Sequence, residues 1–302
     1  MIAKRIFLIF TFILFGYLTG AYSYANQFWP FNVITSSHNA KVAKELSLNF
    51  DEFGAFSNLD GKSEIACPAQ TAATAVILVL GQSNSANHAE KKYKTQFPRE
   101  VLNYYLGKCY SAQSPILGAS GLEGEYITPL GDSLIENGSF SEVIIINKSI
   151  AGSKVKDWAQ AGHLSTELAL SLSELNTQYR VTHTIWHQGE SDFINNTSFA
   201  QYRRSFLSLE LVLSQSGVTA PIFIVISTIC GYNPNWISQN QVARAQKSLI
   251  NNRDVFLGID TDANLTARDR RVQSPSQEPN CHLSEQGQIK VADSISSKLN
   301  SR

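Results

Sequence analysis

Five strand-like runs, rich in β-branched and other apolar residues, recur between residues 74 and 260. They cover residues 74–80, 142–147, 181–187, 222–228 and 255–260. Uninterrupted runs of this length and composition are typical of strands that are buried on both faces, as in a parallel sheet. The pattern therefore predicts a five-stranded parallel sheet.

Helix-like stretches separate these runs, and they cover residues 128–136, 164–175, 198–214, 236–251 and 284–299. The last stretch places Val291, Ile295 and Leu299 on one apolar face. Strands that alternate with helices predict an α/β domain with helices on both faces of the sheet and right-handed crossovers. We expect this domain to cover residues 71–302.

The beginning of the chain has a different pattern. Lys4 and Arg5 precede an apolar stretch that ends near Tyr24. Basic residues ahead of an apolar segment hold that end in the cytoplasm, so the rest of the chain is predicted to be exported. Residues 1–25 are then either a cleaved signal peptide, with a small-x-small site at 23–25, or a short membrane anchor. We favour the anchor.

Residues 26–70 are mixed and polar, and we interpret them as a linker between the membrane and the α/β domain. We therefore expect a periplasmic or cell-surface protein that touches the membrane only through its N-terminal segment.

The chain carries 25 basic and 25 acidic residues, so its formal net charge is zero. This balance argues against a general binder of nucleic acid or of anionic membranes. No cluster of histidine and acidic residues and no CxxC spacing indicates a metal site. The Gly-rich stretch at 118–126 lacks the lysine of a phosphate-binding loop. We expect neither a metal nor a cofactor.

An even number of cysteines in an exported chain predicts two disulfides, for which three pairings are possible. We favour Cys67 with Cys109, and Cys230 with Cys281. Cys230 follows a predicted strand and Cys281 precedes His282, so the second bridge would fix the histidine loop to the end of that strand. Buried free thiols are the alternative.

Small and polar residues follow the predicted strands at the edge where doubly wound sheets bind ligands. In chain order these residues are Gly81-Gln82-Ser83-Asn84, Gly152, Gln188-Gly189-Glu190 and Cys230, and His282 follows the last strand after a loop. Gly81 permits a sharp turn out of the first strand, which presents Ser83. A serine hydroxyl needs a base to act as a nucleophile, and His282 is the best candidate.

Four segments, "GQSNS", "IAGSKVKDW", "WHQGESD" and "CHLSEQG", resemble the successive blocks of SGNH-type hydrolases. More narrowly, they resemble the sialate O-acetylesterase-like and carbohydrate acetylesterase branch, over about residues 74–300. The resemblance implies a three-layer, flavodoxin-like fold and an O-acetyl ester hydrolase. It makes Ser83 the nucleophile, His282 the general base, and the N–H groups of Ser83 and Gly152, with the Gln188 side chain, the oxyanion hole.

The chain departs from that family at one position, because Pro279 stands where the family has an aspartate three residues before the histidine. Another carboxylate must then orient the imidazole. Glu190 is our first candidate, Glu278 the second and Asp262 the third. A dyad without a carboxylate is the remaining alternative. Glu190 also has a structural interpretation, in which it holds the Ser83 loop.

The sequence thus predicts a cell-envelope serine esterase that removes O-acetyl groups from a carbohydrate through an acyl-enzyme on Ser83. An O-acetyltransferase that uses the same serine is one alternative. A non-catalytic envelope protein that binds a glycan or a partner is the other.

Overall fold

The computed structural model of the protein describes residues 16, 19, 49–230, 240–272 and 281–299. The chain divides into two compact units, Met1–Asn49 and Phe50–Arg302, and the second contains the sheet. Apart from residues 16 and 19, the predicted signal or anchor segment lies outside the described residues. Within the described ranges, no helix has the length and apolar character needed to cross a membrane.

The second unit is built on one eight-stranded sheet with the order β1-β4-β3-β5-β2-β6-β7-β8. The strands are β1 Glu64–Ile65, β2 Thr74–Gly81, β3 Val101–Tyr105, β4 Lys108–Ser111, β5 Glu142–Asn147, β6 His183–His187, β7 Ile222–Ile226 and β8 Val255–Asp260. Strands β3, β5, β2, β6, β7 and β8 are parallel. The pairs β3–β4 and β4–β1 are antiparallel.

The prediction of a five-stranded, purely parallel sheet is therefore wrong in strand number and in direction at one edge. The five predicted strands exist, but the sequence pattern missed β1, β3 and β4. Strand β3 carries Asn103 at its centre, and the Asn103 amide donates to the backbone carbonyls of Leu117 and Ile145 at 3.3 Å. A buried polar side chain that is satisfied by backbone breaks the apolar run on which strand prediction depends.

Helices cover both faces of the sheet, as the alternating pattern predicts. They are α1 Ile127–Glu136, α2 Val155–Trp158, α3 Ser165–Leu175, α4 Glu190–Ile194, α5 Phe199–Gln215, α6 Gln241–Leu249, α7 Thr261–Asn264 and α8 Glu285–Leu299. Alternate residues of β2 point to opposite faces. Leu78 packs in one core with α2, α3, α5 and α6, and Ile77 packs in a second core with α1 and α8. This arrangement confirms the three-layer α/β architecture.

Helices α5 and α6, which pack on the same face of the sheet, begin at side-chain caps. Ser198 caps α5 by accepting a hydrogen bond from the Gln201 N–H, whose side chain returns the contact. Asn240 caps α6 by accepting from the Ala243 N–H at 2.9 Å. The Asn240 amide also donates to the Thr228 hydroxyl at 2.7 Å, which ties the start of α6 to the chain that leaves β7.

Both predicted disulfides are present, Cys67–Cys109 and Cys230–Cys281. The first joins the segment that precedes β2 to strand β4. The second joins the segment that follows β7 to the residue before His282. Two disulfides are consistent with a protein that is exported to an oxidising compartment.

Strand β2 ends at Gly81, which lies in a backbone region with a φ of +142°. A β-carbon at this position would lie 2.0 Å from the His187 carbonyl oxygen on the neighbouring strand β6. The same close approach lets the Gln82 N–H donate to that carbonyl at 3.0 Å. Only glycine permits this exit from the strand.

We predict that Gly81→Ala destabilises the fold by roughly 3 kcal/mol or more, because the methyl group collides with rigid backbone. Gly138→Ala is the control. Gly138 also has a positive φ, of +72°, but a β-carbon there meets nothing within 4 Å. That substitution should cost only about 1 kcal/mol of backbone strain. Urea unfolding of both variants measures the difference, and equal losses would contradict this account.

Candidate active site

The turn that carries Ser83 lies at the carboxyl end of β2, between β5 and β6 in the sheet. Ser83 opens a single 3-10 turn, Ser83–Ser85, and is buried with 7% of its surface exposed. Side-chain hydrogen bonds from Asn147 and Ser85 help to hold the turn. The Asn147 amide at the end of β5 donates to the Ser85 carbonyl at 2.7 Å, and the Ser85 hydroxyl donates to the Gln82 carbonyl at 2.9 Å.

The Asn84 side chain connects this turn to two other loops. Its amide nitrogen donates to Glu190 Oε1 at 2.6 Å and to the Cys281 carbonyl at 2.9 Å. The residue after Ser83 is therefore bonded directly to the residue before His282, although 197 positions separate them. The structure thus brings the Ser83 turn, the Glu190 helix and the His282 loop to one edge of the sheet.

His282 lies beside a second histidine that the sequence analysis did not select. The rings of His282 and His88 stack with their centroids 5.3 Å apart. Burial lowers the pKa of His282 to about 4, and interactions with His88, Arg271 and Arg270 act in the same direction. The His282 imidazole is consequently neutral at pH 7 and able to accept a proton.

Glu190 begins helix α4 and is fully buried. Its Oε1 atom accepts from Asn84 and, at 2.8 Å, from the Ser227 hydroxyl. Burial raises the pKa of Glu190 to about 7, against the opposing effect of these hydrogen bonds. These contacts hold the Ser83 turn. The role of Glu190 as the partner of His282 stays a prediction.

Glu278 and Asp262 are the two other candidate partners of His282. Glu278 lies outside the described residues. Asp262 accepts hydrogen bonds from the N–H groups of Thr228 and Ile229 and from the Thr228 hydroxyl. These bonds commit Asp262 to the chain segment that follows β7.

Two of the three predicted oxyanion donors are backbone N–H groups, and their assignment stays a prediction. Within the described ranges, the backbone N–H groups of Ser83 and Gly152 donate to no acceptor. Gly152 lies in an exposed turn after β5 with a φ of +74°. Backbone N–H groups that are held in place but not bonded are the donors that an oxyanion requires.

The third predicted donor, the Gln188 amide, is already engaged. It donates to Asp192 Oδ2 at 2.6 Å and lies 3.2 Å from the Ser153 carbonyl. The Gln188 side-chain oxygen accepts from the Tyr202 hydroxyl at 3.0 Å. To bind an oxyanion, this amide would have to exchange one of its present acceptors, so its assignment stays a prediction.

His88 and Arg270 are the site residues that sequence reasoning missed. His88 follows Ser83 by five positions but belongs to no motif that marks it. Arg270 is buried and donates to the Cys281 carbonyl at 3.0 Å, and nothing in its local sequence predicts this contact. Among the side chains that the structure describes, no group of three or more histidine, cysteine or acidic residues could hold a metal ion.

Comparison with known proteins identifies the family. Residues 73–300 match the family model described as carbohydrate esterase, sialic acid-specific acetylesterase. The chain is thus a carbohydrate esterase by family, and it belongs to the sialic acid-specific acetylesterase family. This result confirms the resemblance seen in the sequence blocks. No curated protein matches the chain.

Two solved structures share the fold. A protein from Arabidopsis thaliana is 16% identical and superposes with a TM-score of 0.57, covering 76% of this chain and 98% of its own. NanS is 13% identical with a TM-score of 0.53, covering 76% of this chain and 97% of its own. At these identities the likeness concerns the fold alone.

We predict that the two disulfides contribute differently to activity. Each closes a loop of similar length, with sequence separations of 42 and 51 residues. Replacing either pair by serines should therefore cost a similar amount of stability, about 4 kcal/mol on chain-entropy grounds. Only Cys230→Ser with Cys281→Ser should also lower the kcat of the folded protein, because Cys281 adjoins His282.

Thermal unfolding and ester hydrolysis, measured on both double variants, separate the two effects. The Cys67→Ser and Cys109→Ser variant is the matched control, since that bridge joins the segment before β2 to strand β4 and neither cysteine adjoins Ser83 or His282 in the chain. An equal fall in kcat for both variants would show that the second bridge has no special relation to the site.

Proposed function

We propose that the protein is a serine carboxylic-ester hydrolase that removes O-acetyl groups from a carbohydrate, with Ser83 as nucleophile and His282 as base. The observation that carries this proposal is the Asn84 amide, which bonds the Ser83 turn to the carbonyl that precedes His282. Membership of a carbohydrate esterase family supports the reaction class.

The proposed reaction has two steps. The Ser83 hydroxyl attacks the acetyl carbonyl and passes its proton to His282, and the sugar hydroxyl departs with that proton. The acetyl group then remains on Ser83 as an ester. A water molecule that His282 deprotonates attacks this ester, which releases acetate and restores the serine.

The charge that develops on the carbonyl oxygen requires donors. We assign this role to the N–H groups of Ser83 and Gly152, with the Gln188 amide joining them when it exchanges an acceptor. An imidazole with a pKa of about 4 is a weak base at rest. A carboxylate that stabilises the imidazolium as it forms would correct this weakness, and we propose Glu190 for that part.

The disulfides and the N-terminal segment indicate the compartment in which the protein acts. The disulfides Cys67–Cys109 and Cys230–Cys281 favour an oxidising environment. The basic and then apolar N-terminal segment supports export, with attachment to the membrane through that segment. We therefore propose that the enzyme acts in the cell envelope on acetylated carbohydrate.

We predict that Ser83→Ala lowers kcat for a chromogenic acetate ester by roughly 10³-fold or more, because no other group takes over as nucleophile. Ser214→Ala, at an exposed position of α5, is the control and should hydrolyse at the parent rate. A fluorophosphonate probe should label the parent at Ser83 and leave the Ser83→Ala variant unlabelled. Undiminished hydrolysis by Ser83→Ala would rule out this nucleophile.

The histidine is tested in the same way. We expect His282→Ala to lose most activity, and His163→Ala, an exposed histidine outside the site, to retain it.

The pH dependence of kcat/KM should show two ionisations on the acidic side. Burial raises the pKa of Glu190 to about 7, so this carboxylate loses its charge as the pH falls through 7. His282 has a lowered pKa of about 4, so it stays a competent base until the pH falls through 4. We expect a partial loss of activity near pH 7 and a complete loss near pH 4.

The Glu190→Gln variant tests which residue causes each of the two ionisations. It should remove the step near pH 7 and leave the loss near pH 4. A single step near pH 6.5, the ordinary range of histidine, in both proteins would contradict the assignment.

A further inference from the structure

The carbonyl oxygen of Cys281 has two side-chain donors. Asn84 Nδ2 lies 2.9 Å from it, and Arg270 Nη1 lies 3.0 Å from it. A carbonyl oxygen has two lone pairs, so both are used. This peptide unit directly precedes His282. Its orientation therefore helps to determine the position from which the His282 side chain extends.

The main chain beside Arg270 also holds the histidine loop. Arg270 pairs with Leu283 in an antiparallel bridge. The Arg271 N–H donates to the His282 carbonyl at 2.7 Å, and the Ser284 N–H donates to the Asp269 carbonyl at 3.0 Å. The segment 269–271 thus lies along the loop on both sides of His282, and the Arg270 side chain adds a contact to the residue before it.

Arg270 brings a buried charge to a position where a carbonyl acceptor requires only a hydrogen-bond donor. It is 5% exposed, and the ion pairs within 4.0 Å in the described part of the chain do not include it. Its Nη2 atom has no hydrogen-bond partner among the residues that the structure describes. A buried charge without a close counter-ion is costly, and a neutral donor, as at Asn84, would suffice for the carbonyl.

The charge of Arg270 is balanced at longer range by three acidic groups, Glu190, Asp262 and Asp269. Asp269 is itself paired with Lys290 at 2.8 Å, and Asp262 is bonded to Thr228. Glu190 is the member of this set that touches Asn84. One positive charge therefore acts on the buried carboxylate and also contacts the histidine loop.

We propose that Arg270 is a positioning residue of the esterase site, which together with Asn84 fixes the Cys281 carbonyl and so holds the His282 imidazole at the Ser83 turn. This inference rests on the proposed function, because it assigns Arg270 a part in that same reaction. The fixed charge of Arg270 has a second effect, since it acts electrostatically on both Glu190 and His282.

The electrostatic consequence has a definite sign. His88, Arg271 and Arg270 all act to lower the pKa of His282, and the two arginines carry the permanent charges among them. Arg270 also lowers the pKa of Glu190. Removing the guanidinium charge should therefore raise the pKa of both groups, whereas loss of a purely structural contact would leave them unchanged.

The test compares Arg270→Gln, Arg270→Lys and Arg268→Gln in the full-length protein. Arg268 is exposed and lies two residues away, so its variant should match the parent. Arg270→Gln should lower kcat for a chromogenic acetate about 10–100-fold with little change in KM, because the base is displaced while the ester still binds. Arg270→Lys, which keeps the charge, should recover part of the loss.

A parent-like kcat in folded Arg270→Gln would overturn the proposal. A double-mutant cycle with Asn84→Ala adds a test that tolerates some destabilisation. Because both side chains hold one carbonyl, the combined loss in kcat should be smaller than the product of the two single losses. A combined loss equal to that product would contradict the shared anchor.

An NMR titration of the His282 imidazole distinguishes failure of this inference from failure of the proposed function. It needs no hydrolysis, so it reports on Arg270 even if Ser83→Ala proves as active as the parent. A higher pKa of His282 in Arg270→Gln, with no change in Arg268→Gln, supports the inference. An unchanged pKa in Arg270→Gln overturns it.

Discussion

The arrangement of the candidate site depends on one amide group. The Asn84 side chain donates one hydrogen to Glu190 and the other to the Cys281 carbonyl, and so joins the Ser83 turn, helix α4 and the His282 loop, which are far apart in the sequence. A primary amide carries two donors on one planar nitrogen. It can therefore hold two acceptors at fixed positions relative to each other. The neighbouring residue, Ser83, does not have to make these two contacts.

The surroundings of this amide are costly in free energy. Glu190 and Arg270 are buried, each retains an atom with no hydrogen-bond partner among the described residues, and the charges of Arg270 and Arg271 lower the pKa of His282. A fold that needed only stability would replace such groups with apolar side chains. Their presence at the carboxyl edge of the sheet, beside Ser83, fits a site in which catalysis rather than stability determines the residues.

Much of this organisation is predictable from local patterns. The five apolar runs give the central strands because a strand buried on both faces has no polar alternation. The glycine at position 81 marks the exit to Ser83, and the even cysteine count with Cys281 beside His282 gives the correct disulfide pairs. Strands β1, β3 and β4 are not predictable in this way, because they lie toward one edge of the sheet and carry polar residues such as Asn103.

The sequence by itself determined the α/β architecture, the family and the identity of Ser83 and His282 as candidates, since each depends on residues that are close together along the chain. Only the tertiary structure decided which side chains surround them. His88 stacks on His282, and Arg270 contacts Cys281. No local sequence pattern indicates that these residues lie close together. Long-range hydrogen bonds and buried charges are set by the packing of whole elements, and a pattern read along the chain cannot contain them.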